Sequence, residues 1–156
     1  MYAEPPMPDI LSPTKRSQLM ARVRQKSTAP ELAVRSALHR LGLRFTVNGP
    51  LNKYLPGRPD IVLPRHRLVV FVHGCFWHRH PGCLKTTTPV ARAKFWTAKF
   101  NANVARDSKA IKRLRSLGWR SFVIWECETE EDLESLLRRL NDKWFRIRRD
   151  FRRRCE

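Results

Sequence analysis

The chain reads as an α/β domain built on a small mixed sheet. Amphipathic helical segments alternate with short runs of β-branched and aromatic residues, an order of helix, three strands, helix, strand, helix. Its 156 residues suit one domain, and a 42% hydrophobic share supports a core that buries about two-thirds of the unfolded surface.

Residues 1–13 hold Pro5, Pro6, Pro8 and Pro13 and read as a flexible arm, followed by a main domain over 14–140 and a basic tail over 141–156. Lys15, Arg16, Arg22, Arg24 and Lys26, with Leu19, Met20 and Val23 between them, form a basic amphipathic piece. It suits either a DNA surface or a solvated terminal helix.

Thr28 to Glu31 has the spacing of a capping box, and Val34, Ala37, Leu38 and Leu41 follow at helical offsets before Gly42. Leu43 to Val47 is expected as a strand. The turn Pro56-Gly57-Arg58-Pro59 delivers Asp60 to the strand Ile61 to Leu63.

Leu68 to Val72 is a continuous apolar run suited to a strand covered on both faces, ending at His73-Gly74-Cys75. Between Ala93 and Leu117, the positions Trp96, Phe100, Val104, Asp107, Ile111 and Leu114 keep helical spacing, and Gly118 supplies the stop. Trp119 to Trp125 is the last strand. Thr129 with Asp132 is expected to cap a helix through Leu133, Leu136, Leu137 and Leu140, which extends into the tail. That tail interleaves Trp144, Phe145, Ile147 and Phe151 with basic residues, which suits nucleic acid or packing of an apolar face.

Lys plus Arg number 32 against 14 Asp plus Glu, a net charge of +18 that draws the chain to polyanions. No run approaches the roughly 20 apolar residues of a membrane span, and Met1 to Pro6 lacks the pattern of an export signal. Four cysteines are too few for a disulfide scaffold, and their clustering with histidines points to metal in a reducing, cytoplasmic compartment.

Cys75, His80 and Cys83 lie within nine residues, so three soft or borderline ligands can converge on one zinc ion. Cys127, just after the last strand, completes a tetrahedron. The alternative fourth ligand, Cys155, sits beside the terminus, where holding it still costs entropy. It is expected as a free thiol. Without metal, Cys75 and Cys127 would serve as small buried hydrophobes.

Asp60 at a strand end suits Mg²⁺, and His73 and His78 lie where the next strand stops. A carboxylate and imidazoles at one sheet end are the parts that phosphodiester hydrolysis needs. Glu31 is explained by the capping box alone.

Pro56-Gly57-Arg58-Pro59-Asp60-Ile61-Val62, Val70 through His78, Phe95-Trp96, Gly118-Trp119-Arg120 and Trp125-Glu126-Cys127 together resemble the very-short-patch repair (Vsr) endonucleases. The likeness spans roughly residues 14 to 127. It implies a restriction-endonuclease-like three-layer sandwich with a central mixed sheet and a structural zinc site. It also implies an enzyme that nicks double-stranded DNA 5′ of the thymine in T:G mismatches left by deamination of 5-methylcytosine.

Carried over motif by motif, the resemblance implies that Asp60 and the Val72 carbonyl hold Mg²⁺ and that His78 activates water, with Glu31 and His73 in support. Cys75, His80, Cys83 and Cys127 become the zinc ligands. Phe76, Trp77 and Trp96 match residues that wedge between base pairs beside the mismatch, Met20 matches an inserting arm residue, and Lys99 and Asn103 are expected on DNA with them. A mispaired step is cheaper to open than a paired one, so deformability itself can select the site. The likeness further suggests a monomer linked in function to a cytosine-5 DNA methyltransferase and to mismatch-repair proteins.

Two departures stand out. Val72 occupies a position where Thr is common, which a backbone ligand tolerates, and the loop between His80 and Cys83 has an extra residue. A nuclease of the same superfamily with other specificity, and a zinc-stapled DNA-binding module without catalysis, are the rival readings.

Overall fold

A computed structural model describes residues 12–22, 27–130 and 132–152 of the chain. Most of the expected arm, Val23 to Lys26, and Cys155 lie outside the described residues. In chain order come helices α1 (Pro13–Arg22), α2 (Ala29–Arg40) and α3 (Pro50–Tyr54), strands β1 (Ile61–Leu63) and β2 (Leu68–His73), helices α4 (Cys75–His78) and α5 (Ala93–Ser116), strand β3 (Arg120–Trp125) and helix α6 (Leu133–Arg152).

The sheet has the order β1-β2-β3, with β1 antiparallel to β2 and β2 parallel to β3. It is therefore mixed, as the alternation of segments required. Period-two alternation sends the residues of its apolar runs to opposite faces. Ile61, Leu63, Leu68, Val70 and Ile124 pack with Val34 and Leu38 of α2 and Leu136 and Leu140 of α6. Val62, Val69 and Phe71 pack instead with Leu55 and with Leu114 of α5. β1 and β2 are covered on both sides, so their runs could be apolar throughout, whereas β3 is half-buried except at Ile124.

α2 starts as its capping box dictates. Thr28 is extended at φ −66° and ψ 159°, and its hydroxyl accepts from the Glu31 N–H at 3.5 Å. Gly42, at φ 71°, lets the Leu43 N–H turn back to the Leu38 carbonyl at 3.0 Å and ends the helix.

Two expectations are corrected. Leu43 to Val47 is not a strand: Leu43, Phe45 and Val47 pack on the core, but the only ladder pairing is the Thr46–Val62 bridge. The Asn52 side chain takes the Thr46 carbonyl and hydroxyl as partners there, where a longer ladder would have continued. The cap of α6 is Asp132 alone, whose carboxylate accepts from the Ser135 N–H at 2.9 Å. Thr129 belongs to a separate 3₁₀ turn, Glu126–Thr129, and donates its hydroxyl to the Glu126 carbonyl. Finally, α3 and α4 were not expected, being too short to show periodicity.

Candidate functional site

The expected acid and imidazoles meet at one end of the sheet. A cavity of about 260 Å³ is lined there by Glu31, Asp60, Val72, His73, His78 and Asp107. Because β1 is three residues long, the Val72 N–H has no strand partner on that edge. It donates to Asp60 Oδ2 at 2.7 Å.

In an extended strand, a residue's N–H and C=O point to the same edge. The Val72 carbonyl therefore faces the side that holds the Asp60 carboxylate, and the two oxygens suit one hard cation. Burial pushes the Asp60 carboxyl up to about 6, opposed by the Val72 N–H and reinforced by the Glu31 charge. A divalent cation would relieve that strain, so the residues present fit Mg²⁺ chemistry.

Glu31 is buried, and its carboxylate accepts from the Ser27 N–H at 2.9 Å, the Thr28 hydroxyl at 3.0 Å and Arg35 Nη2 at 3.0 Å. Capping thus accounts for its fixed position, and that position also faces the cavity.

His78 Nδ1 lies 2.6 Å from Asp107 Oδ2. An ionised carboxylate only accepts, so Nδ1 carries the proton and Nε2 is left as a base. The His73 ring stacks on that of His78 with centroids 3.8 Å apart. Burial, and then the neighbouring His78, lower His73 to about 4, so it stays neutral near pH 7.

Asp107 and Asn52 were not anticipated as site residues. Asp107 had a signal, since it is an acid on the apolar stripe of α5. Asn52 had none, because its role comes from tertiary contacts. Its Nδ2 donates to the carbonyls of Thr46 at 3.1 Å, Pro59 at 3.0 Å and Asp60 at 3.2 Å. Its Oδ1 accepts from the Thr46 hydroxyl and the Gly49 N–H. This buried amide fixes the turn that carries Asp60.

The soft ligands form a second centre. One ligand atom each from Cys75, His80, Cys83 and Cys127 lies within 4.8 Å of the others. His80 Nδ1 is 3.6 Å from Cys75 Sγ and 3.3 Å from Cys127 Sγ. Tetrahedral zinc, with Zn–S about 2.3 Å and Zn–N about 2.0 Å, spaces such atoms about 3.6 Å apart, so the donor set fits. The His80 ring is stacked on Trp125 at 4.2 Å and 8°, which sets its plane. Burial raises the Cys75 thiol and pushes Cys127 up to about 12, whereas the Lys85 N–H lowers Cys83.

Beside these centres, Phe76 and Trp77 of α4 meet Trp96 and Phe100 of α5 at centroid distances of 5.1 to 6.0 Å. Phe100 is core, and Phe76, Trp77 and Trp96 are half-buried. Lys99 Nζ sits 5.3 Å from the Trp77 ring centre and 5.7 Å from that of Trp96, and Asn103 Nδ2 donates to the Trp77 carbonyl at 3.1 Å. Met20 lies on α1, apart from this group in sequence, and its side chain is outside the described residues.

No helix among the described residues is long and apolar enough to cross a membrane. Compared with known proteins, residues 8–84 match the family of the DNA mismatch endonuclease Vsr. The chain is 49% identical over 138 residues to the type II nicking enzyme V.XorIIP of Xanthomonas oryzae pv. oryzae, covering 87% of this chain and 98% of that one. It is 42% identical over 121 residues to the DNA mismatch endonuclease Vsr of Escherichia coli, covering 78% and 75%. It is 39% identical over 142 residues to the type II nicking enzyme V.NmeAIP of Neisseria meningitidis, covering 87% and 99%.

Proposed function

This chain belongs to the family of the DNA mismatch endonuclease Vsr and is a DNA endonuclease, and from that premise we propose that it nicks DNA 5′ of the thymine in T:G mismatches. The mismatches are those left by deamination of 5-methylcytosine. The observation that carries the reading is the convergence, in one cavity, of the buried Asp60 carboxylate and the His78 imidazole held by Asp107.

Asp60 and the Val72 carbonyl are the residues that would hold Mg²⁺. When bound, the ion would neutralise charge that develops on the scissile phosphate. His78 takes the proton of the attacking water at Nε2 while Asp107 stabilises the imidazolium at Nδ1. His73 and Glu31 fix the neighbourhood of that water. Phe76, Trp77, Trp96 and Met20 open the mispaired step, and Lys99 and Asn103 contact the DNA there.

Zinc on Cys75, His80, Cys83 and Cys127 ties the loop after β2 to the end of β3, a structural role. The sheet with helices on its two faces is read as the three-layer sandwich of restriction endonucleases, with 1–13 as arm, 14–140 as nuclease and 141–156 as basic tail. A monomer acting in the cytoplasm, linked to a cytosine-5 methyltransferase and mismatch-repair proteins, completes the proposal.

The test is strand cleavage of an end-labelled duplex with one T:G mismatch, against a T:A control, in Mg²⁺ and in EDTA. A Mg²⁺-dependent nick 5′ to the mismatched thymine is expected, with Asp60→Ala binding but not nicking. Equal cleavage of both duplexes would refute the mismatch specificity, and binding without cleavage would refute the catalytic assignment.

A further inference from the structure

Two guanidinium groups border the cavity that holds Asp60 and His78: Arg58, from the turn before β1, and Arg106, from α5. Both residues are exposed, and among the described residues neither side chain makes a hydrogen bond or ion pair. They stay unpaired although three carboxylates, Glu31, Asp60 and Asp107, line the same cavity.

Arg58 is also held in an unusual backbone conformation, at φ 50°. Arg67 and Arg79 share that region because each closes a helical turn, and Arg92 because it precedes α5. Arg58 terminates no helix. Its turn is pinned from both sides: a Cβ on Gly57 would lie 2.8 Å from Ala110 Cβ, and Asn52 binds the carbonyls of Pro59 and Asp60. Backbone strain that its surroundings enforce at a site rim marks a side chain needed there.

A phosphodiester entering this cavity meets three acids, and a guanidinium offers the planar fork of donors that matches phosphate oxygens. We infer that Arg58 and Arg106 form a phosphate-binding pair that clamps the DNA strand across the cleavage position, each on a backbone phosphate. The inference rests on the reading of this cavity as the phosphodiester site.

The experiment measures binding of a fluorescent T:G duplex without added Mg²⁺ across about 50 to 200 mM salt, where each phosphate contact contributes a slope of about 0.9 in log K against log salt. Arg58→Gly and Arg106→Ala are each expected to flatten the slope by about that amount and to slow single-turnover nicking by at least about tenfold. Arg58→Gly relieves the left-handed backbone, so its melting temperature should equal or exceed the parent's, which separates lost contact from lost fold. Arg58→Lys should keep the slope and lose rate, because it keeps the charge but not the fork.

Slopes unchanged in both variants of a nicking parent would overturn this inference alone. A parent that binds without nicking would refute the catalytic reading, and the slopes would still decide whether the pair holds phosphate.

Discussion

His78 Nδ1 and Asp107 Oδ2 lie 2.6 Å apart and join α4 to α5 across 29 residues of sequence. The two side chains are 28% and 24% exposed, so the pair adds little to stability for its length. What it fixes is a tautomer, and therefore which ring nitrogen faces the cavity.

Asp107→Asn tests that function. An amide can donate to Nδ1 and stabilise the opposite tautomer, which removes the base at Nε2. Single-turnover nicking should fall by about 10²- to 10⁴-fold, the usual share of general acid–base catalysis, while duplex binding by anisotropy stays at the parent level. A rate within threefold of the parent would show that His78 works without this partner.

How far the sequence disclosed the site depended on whether each residue sat in a local pattern. Asp60, His73 and His78 stand at strand ends or just beyond, so the strands located them. Asp107 was visible only as an acid in an apolar helical stripe, and stripe periodicity does not name its contact 29 residues away. Asn52 left no trace, since all five of its hydrogen bonds are set by the loop fold. The same logic explains Leu43 to Val47, where alternating burial survives but pairing stops because β1 spans only Ile61–Leu63. The cluster of Cys75, His80, Cys83 and Cys127 was legible because three of its four members lie within nine residues.

Asp60 makes a pH-dependent contribution to stability. Its carboxyl stands at about 6 in the fold against 3.8 as a free side chain, so the native state holds the proton more tightly. The destabilisation is absent below pH 4, grows between pH 4 and 6, and is full above about 6. Asp60→Asn should accordingly stabilise the metal-free protein at pH 8 by about 1–3 kcal/mol, at roughly 1.4 kcal/mol per unit, and by little at pH 4. Calorimetry without added Mg²⁺ at the two values decides it. A variant less stable than the parent at pH 8 would show that the Val72 contact outweighs burial of the charge. In Mg²⁺, the ion and the proton compete for Asp60, so the pH at which nicking is half lost should fall as the Mg²⁺ concentration is raised.

Zinc content distinguishes the two candidate fourth ligands. Native mass spectrometry should find one zinc in the parent and in Cys155→Ser, and none in Cys127→Ser. The reverse pattern would move the ligand to the tail. Loss of the ion releases the loop after β2 from the end of β3, and melting should fall by about 10 °C or more. Reloading near pH 7 should release about two to three protons, since the Cys127 thiol, held up to about 12 without metal, binds only as thiolate.

Asn52 should couple fold stability to metal affinity. The residue is 5% exposed, and its Nδ2 satisfies the carbonyls of Thr46, Pro59 and Asp60. Asn52→Ala strands the carbonyls of Pro59 and Asp60, whereas Thr46 keeps the Val62 N–H, and a cost of about 2–4 kcal/mol follows from one to three for each unsatisfied buried group, less what relaxation and water recover. Because two of the three carbonyls flank the Asp60 carboxylate, loosening them moves a metal ligand as well as the turn. The Mg²⁺ concentration for half-maximal nicking should therefore rise several-fold, at a temperature where the variant is fully folded. Asn52→Asp keeps an acceptor for Gly49 and Thr46 but loses the donors and faces three carbonyls with a charge, so it should be worse than alanine. A lower melting temperature with an unchanged Mg²⁺ requirement would confine Asn52 to the fold.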